Sequence, residues 1–151
     1  MANLIVEQTD EFIPIDLLLL SDPSEEVILE YINSSEKFIA RYDTKIVGAL
    51  LLLKTRPRTM EIMNISVYEE HQNKGIGKQL IKAAIEYSKA NKIKKLEIGT
   101  GNPGVVQMML YQKCGFRIVG VELDYFRKNH EEKIFENGIE CRDMIRMEME
   151  F

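Results

Sequence analysis

In the stretch His71-Gln72-Asn73-Lys74-Gly75-Ile76-Gly77-Lys78, two glycines stand two positions apart where a strongly helical pattern begins. Inside a helix a glycine costs about 1 kcal/mol relative to alanine. A pair at this point implies that something comes close to the backbone, or that the turn needs angles other residues avoid. Small residues at the head of a helix leave free N–H groups beside the positive end of its dipole, which is an anion-binding arrangement. Lys74 and Lys78 add positive charge at the rim. A pyrophosphate suits that chemistry. Two familiar phosphate loops do not match. The Walker pattern fails because Gln72 stands where its first glycine belongs and Gln79 follows Lys78. The dinucleotide pattern fails because Leu80 occupies its third glycine position. On its own the glycine pair also fits a plain turn before an amphipathic helix with a solvated lysine face.

The surrounding pattern supplies the elements that would hold such a loop. Leu4 to Gln8 reads as a first strand, and Ile15 to Ile32 as helical with a break at Ser21-Asp22-Pro23. Ser24 followed by Glu25 and Glu26 is a helix start with negative charge in its first turn. Lys37 to Tyr42 and Lys45 to Lys54 read as strands joined by a tight Asp43-Thr44 turn, with Thr59 to Tyr68 completing a meander. From Ile76 onward, Leu80, Ala84 and Ser88 line one helical face, and Lys78, Lys82, Glu86 and Lys89 the other. Lys95 to Thr100 reads as a short strand. Pro103 to Cys114 reads as a helix with Asn102 as its N-cap and Pro103 at its first position, ended by Gly115. Phe116 to Leu123 and Met144 to Phe151 are the last strands, and Asp124 to Asp143 is a polar connection spotted with aromatics. Strands, helix, strand, helix, strand, connection, strand imply a mixed sheet with helices on both faces.

Composition narrows the function classes. A chain of 151 residues, 45% hydrophobic and 29% charged, fits one globular domain with a full core. A net charge of −4 gives no global field for nucleic acid. Lys92, Lys94 and Lys95 lack the interleaved aromatics of a single-strand binder. The two cysteines, Cys114 and Cys141, form no disulfide framework and no metal-ligand spacing with His71 or His130, so no metal is expected and a reducing, cytoplasmic setting is the simplest inference. The N-terminal residues lack the pattern of a signal peptide, and no apolar run is long enough to span a bilayer, so no membrane role is expected.

Three segments in order sharpen the reading. Gln72-Asn73-Lys74-Gly75-Ile76-Gly77 resembles the Q/R-x-x-G-x-G/A signature of the GNAT superfamily of N-acetyltransferases. Asn64-Ile65-Ser66-Val67 looks like the strand leading into it, and Asn102 followed by Leu110-Tyr111-Gln-Lys-Cys-Gly115-Phe116 resembles the family's N…LYxKxGF segment. The resemblance covers roughly Lys37 to Phe116, and the N-terminal helices and Asp124–Asp143 poorly. It implies a mostly antiparallel α/β sheet of about seven strands and acetyl-coenzyme A as co-substrate. The pyrophosphate would sit on the amides of Gln72, Asn73, Lys74, Gly75, Ile76, Gly77 and Lys78. The pantetheine arm would lie along Ile65 and Val67 like an added strand, with Asn102 reaching its amides.

Acetyl transfer to an amine sets three demands. The acceptor must lose a proton, since an alkyl ammonium has a pKa of about 10.4 and no lone pair. The thioester oxygen needs a donor as it gains charge, here expected from the N–H of Val67 or a neighbour. The leaving thiolate benefits from an acid, for which Tyr111 matches the family's tyrosine. Glu61, on the strand before the loop, resembles the base of some relatives; ordered water is the other route. Asp124, Glu131 and Glu132 are further acidic candidates. Cys114 is read as a packing residue and His71 as solvated; His130 is read as loop surface, with a substrate-side role as the alternative because its connection is unusually long for the family. Tyr125, Phe126, Phe135 and Ile139 give the 124–143 connection enough apolar mass to form a lid or a homodimer contact. The expected activity is N-acetylation of a small-molecule or peptide amine, the alternative a non-catalytic coenzyme A sensor or assembly module.

Overall fold

The computed structural model describes residues 3–151. Met1 and Ala2, which open the segment searched above for a signal peptide, lie outside them. The chain runs β1 (Leu4–Gln8), α1 (Ile15–Leu18), α2 (Glu25–Tyr31), β2 (Glu36–Tyr42), β3 (Lys45–Arg56), β4 (Thr59–Val67), α3 (Ile76–Ala90), β5 (Lys95–Gly101), α4 (Val105–Lys113), β6 (Arg117–Glu122), α5 (Tyr125–Asn129), β7 (Ile134–Glu136), β8 (Ile139–Cys141) and β9 (Met144–Glu150). Seven strands form one sheet in the order β1-β2-β3-β4-β5-β9-β6, antiparallel except where β4 meets β5, and β7 pairs with β8 in a separate hairpin. Among the described residues, no helix is long and apolar enough to cross a membrane.

The near-continuous apolar run of β3 makes it a central strand covered on both faces, with Val47 through Leu52 buried. Phe38, Leu50, Leu52, Ile62 and Leu96 pack against the buried stripe of α3, which is Ile76, Leu80, Ile81, Ala84 and Ser88, as the helical period requires. On the opposite face, Ile39, Ala49 and Leu51 pack under Leu17, Leu18 and Ile28 of α1 and α2. Ser24 caps α2 by accepting from the Val27 N–H at 3.2 Å. Helices on both faces of a mostly antiparallel seven-stranded sheet are the arrangement expected from the sequence.

Two expectations need correction. The fourth helix begins at Val105 with Gly104 at its N-cap, two residues later than the sequence reading. Asn102 does not cap it because its side chain is used elsewhere, as described below, and the Gly104 N–H closes a turn onto the Gly101 carbonyl at 2.9 Å. The connection from Asp124 to Asp143, to which the sequence reading assigned no elements, contains α5 and the β7–β8 hairpin, whose Asn137-Gly138 turn takes positive φ at both residues.

One irregularity in β4 matters for everything that follows. Leu52 pairs with Ile62 but Leu51 pairs with Asn64, so Met63 is an extra residue in the ladder, a β-bulge. The parallel pairing of β4 with β5 stops at the same place, its last partners being Ile62 and Ile98. Beyond it β5 stays with β9, as far as Gly101 opposite Met144, while β4 stays with β3, as far as Val67 opposite Gly48. The two central strands part, and a gap opens between them.

Candidate active site

The gap is flanked by strand backbone that does not pair across it, since the β4–β5 ladder ends at Ile62 and Ile98. The Tyr68 N–H donates to the Val47 carbonyl at 3.0 Å. By the alternation of an antiparallel ladder, Ser66 then directs its backbone groups toward β3, and Ile65 and Val67 direct theirs toward the gap. Gln72 Nε2 donates to the Val67 carbonyl at 2.9 Å, tying the start of the glycine loop to that strand end.

The loop itself is built as the sequence suggested. Glu69–His71 forms a 3-10 turn, Asn73 has φ +62°, and Gly75 caps α3 with φ +80°. A β-carbon at Gly75 would meet open space, so glycine is there for its backbone angle. Gly77 differs: its φ is ordinary, and an added β-carbon would only touch Leu110 Cδ2 at 3.5 Å. Nothing within the fold requires glycine at 77. Lys74 and Lys78 are exposed, with Lys74 Nζ lying 5.9 Å from the centroid of the Tyr42 ring. His71 is not solvated as expected. It packs on Tyr42 with centroids 5.5 Å apart, and its Nδ1 is buried without a partner among the described residues.

Below the gap lies a cavity of about 470 Å³. Its walls bring together Glu61, Ile65, Val67, Gln72 and Tyr111, which lie far apart in sequence. Tyr111 is buried on α4 against Phe116, and desolvation pushes its phenol well above the usual tyrosine range. Glu61 lies on β4 one residue before Ile62, and Arg146 from β9 reaches its Oε2 at 3.1 Å. Burial raises the Glu61 carboxyl, and Arg146 opposes that rise. Arg146 also pairs with Glu122 at 2.9 Å and stands over the Tyr125 ring at 5.3 Å.

The structure does not bring all of the expected residues to the gap through their side chains. Asn102 Nδ2 donates to the Glu140 carbonyl at 3.1 Å, and its Oδ1 accepts from the Arg142 and Asp143 N–H groups at 2.8 and 3.0 Å. All three bonds fasten the β8–β9 turn, so its amide is spent on the cavity wall rather than left to meet a ligand. Asp124 is likewise occupied, pairing with Arg142. Glu131 and Glu132 stand exposed in the turn before β7. Cys114 follows α4, and burial raises its thiol. A deeper thiol, Cys141, lines the cavity and is pushed up to about 11, chiefly by burial.

Residues 6–116 match the model of the acetyltransferase (GNAT) family. The chain belongs to that family. This GNAT acetyltransferase is 51% identical over 132 residues to an uncharacterized N-acetyltransferase of Bacillus subtilis, YvbK, which spans 87% of this chain and 85% of the relative. An acetyltransferase of Bacillus subtilis, solved in complex with CoA, matches it with TM-score 0.92 and 46% identity over 99% of either chain. A GNAT family acetyltransferase from Elizabethkingia anophelis, with acetyl-CoA bound, matches it with TM-score 0.94 and 46% identity, again over 99% of either chain.

The cavity is also lined by Asp22 and Tyr31, which the sequence reading did not select, and by His130. His130, read as surface, has a side chain only 9% exposed. Its Nε2 lies 3.4 Å from Asp22 Oδ1, and its ring lies 5.8 Å from that of Phe126. Asp22 also accepts from the Tyr31 hydroxyl at 3.0 Å, and Asn64 on β4 donates to that hydroxyl at 3.2 Å. Asp22, Tyr31, Phe126 and His130 all line the cavity. No local pattern announces them, because the Asp22–His130 contact joins segments 108 residues apart.

Proposed function

We propose that the protein transfers the acetyl group of acetyl-coenzyme A directly to a primary amine, on a small molecule or a peptide, with both substrates bound at once. The observation that carries this reading is the parting of β4 from β5 after Ile62 and Ile98, with the glycine loop at one end of the gap and the cavity beneath it. The N–H groups from Gln72 to Lys78 and the start of α3 hold the pyrophosphate. The pantetheine arm runs along Ile65 and Val67 as an added strand, using their outward backbone groups. That course delivers the thioester to the mouth of the cavity. An N–H of β4, from Val67 or a neighbour, stabilises the oxygen as the tetrahedral intermediate forms. Asn102 acts at one remove, by keeping the β8–β9 turn in place.

Tyr111 is the acid that protonates the departing thiolate. Burial disfavours the phenolate, so the folded-state pKa lies above the unfolded value and the phenol keeps its proton as the pH passes through 10. Activity that depends on this acid therefore shows no alkaline loss from Tyr111 at pH 7 to 9. Glu61 shares its carboxylate with Arg146 and serves to draw the ammonium into the cavity. The test is Tyr111→Phe, which keeps the ring and removes the proton. Turnover should drop on the order of a hundredfold, the lower end for a lost general acid, with coenzyme A affinity by calorimetry within about twofold. Turnover equal to the unaltered enzyme removes Tyr111 from the mechanism.

A further inference from the structure

We propose that His130, oriented by Asp22, is the catalytic residue that takes the proton from the acceptor amine. The proposal rests on the acetyl-transfer reading and supplies the base that it lacks.

The argument starts from what each nitrogen of His130 can do. Asp22 Oδ1 accepts from the Ser24 N–H at 3.1 Å, and its Oδ2 accepts from the Tyr31 hydroxyl. The carboxylate is thus fixed in place as an acceptor, and the group facing it must be a donor. Nε2 of His130 therefore carries the hydrogen. In a neutral imidazole the other nitrogen then holds the lone pair. That nitrogen, Nδ1, is buried and has no hydrogen-bond partner among the described residues. An unused acceptor on a residue that lines the cavity is the group a base requires, and the amine reaches it by displacing the side chains that cover it.

The ionisable groups lining the cavity around it are Asp22 from the α1–α2 connection, Tyr31 from α2, Glu61 from β4, Tyr125 from α5, Glu136 from β7 and Cys141 from β8. Tyr111 from α4 lies across it. Among the described residues no lysine or arginine lines the cavity, although Arg146 reaches Glu61. The negative groups favour an acceptor that arrives as a cation. Glu61 is the weaker choice for base, because the Arg146 guanidinium on its Oε2 favours the charged carboxylate and so opposes its taking a proton.

The protons balance. His130 Nδ1 takes one from the ammonium, leaving a neutral amine whose lone pair forms the C–N bond. The C–S bond breaks, and the electron pair leaves on sulfur, which takes a proton from Tyr111. The nitrogen, still carrying one proton too many for an amide, gives it up to restore the phenol. His130 then releases its proton to solvent.

His130→Gln is the decisive variant, since a glutamine amide can still donate to Asp22 while losing the basic nitrogen. Phenethylamine, spermidine and a short peptide with a free N-terminus serve as probes, with kcat/KM measured from pH 6 to 10. The unaltered enzyme should act on ammonium at neutral pH. The variant should be slower by about a hundredfold at pH 7. With phenethylamine and spermidine it should gain about tenfold per pH unit as it comes to depend on amine already neutral in solution, an alkyl amine having a pKa of about 10.4, whereas with the peptide the rise should level off near the α-amino pKa of about 8. The gap then closes at high pH, which a merely structural defect does not produce. A variant with the same rate and profile as the unaltered enzyme overturns the proposal. An unaltered enzyme that acetylates none of the probes counts against the acetyl-transfer reading, and nitrogen NMR then decides on His130 separately. A hydrogen on Nε2 supports the assignment, and a hydrogen on Nδ1 in the neutral ring overturns it.

Discussion

The two ends of the cavity are made differently. At the end proposed for the coenzyme, a continuous loop and the strand before it, Asn64 to Lys78, supply mostly backbone: the αL turn at Gly75, the open edge at Ile65 and Val67, and the head of α3. At the end proposed for the acceptor, side chains are brought from the α1–α2 connection, β4, α4, α5 and the β7–β8 hairpin. A ligand common to many enzymes can be held by peptide groups whose geometry follows from a short local motif. An acceptor particular to one enzyme is distinguished by side chains, and these meet only when the chain is folded.

Substituting the loop tests that division most severely. Gly77→Asp places a carboxylate where the diphosphate is expected, beside N–H groups that would otherwise bind it. Coenzyme A affinity should fall by more than about a hundredfold, roughly 3 kcal/mol. The melting temperature should change little, because the added atoms point toward Leu110 at ordinary contact distance or into open space. Calorimetry and a thermal melt on the same sample separate the two effects. Tight binding by the variant would show that the phosphates lie elsewhere, and the contrast between a backbone end and a side-chain end would lose its first half.

The same contrast explains how much was legible in the sequence. The seven strands of the main sheet were read from apolar periodicity, close to their observed bounds, because half-buried strands and an amphipathic α3 repeat their pattern locally. The glycine loop was legible for a related reason, since Gly75 must satisfy a backbone angle whatever lies around it. Asn102 was misread: an asparagine before a proline looks like a helix cap, and only the folded chain shows the β8–β9 turn competing for its amide. His130 was read first as surface, with a substrate-side role second, because its burial comes from Phe126 and from Asp22, whose distance along the chain no window spans. The bulge at Met63, which directs β4 away from β5, left no composition signal at all.

Asn102→Ala probes the acceptor end from outside the cavity. It removes three hydrogen bonds to the 140–143 backbone and leaves two N–H groups and a carbonyl to find new partners. The loss in stability should be about 2 kcal/mol, read from urea unfolding. Coenzyme A affinity should hold within about threefold, while KM for the amine rises, because Cys141 and Met144, which flank the turn, line the cavity. A large loss of coenzyme A affinity with unchanged KM would instead mean that the Asn102 amide leaves the turn to bind the pantetheine directly.

The smallest expected effect separates fold from function at one atom. Gly77 lies in the first turn of α3 with an ordinary φ, so replacing it by alanine strains nothing and relieves the entropy that a helical glycine loses on folding. If glycine is present only to let a diphosphate approach, Gly77→Ala should make the free protein more stable by about 0.5–1 kcal/mol, a rise of a few degrees in the thermal midpoint. The same methyl group should weaken coenzyme A binding by crowding the N–H groups around it. Opposite signs for the two measurements are the signature of a residue kept for its ligand. If the free protein is destabilised, the glycine serves the packing of α3 against α4, and the sequence argument that began from the pair at 75 and 77 would hold for Gly75 alone.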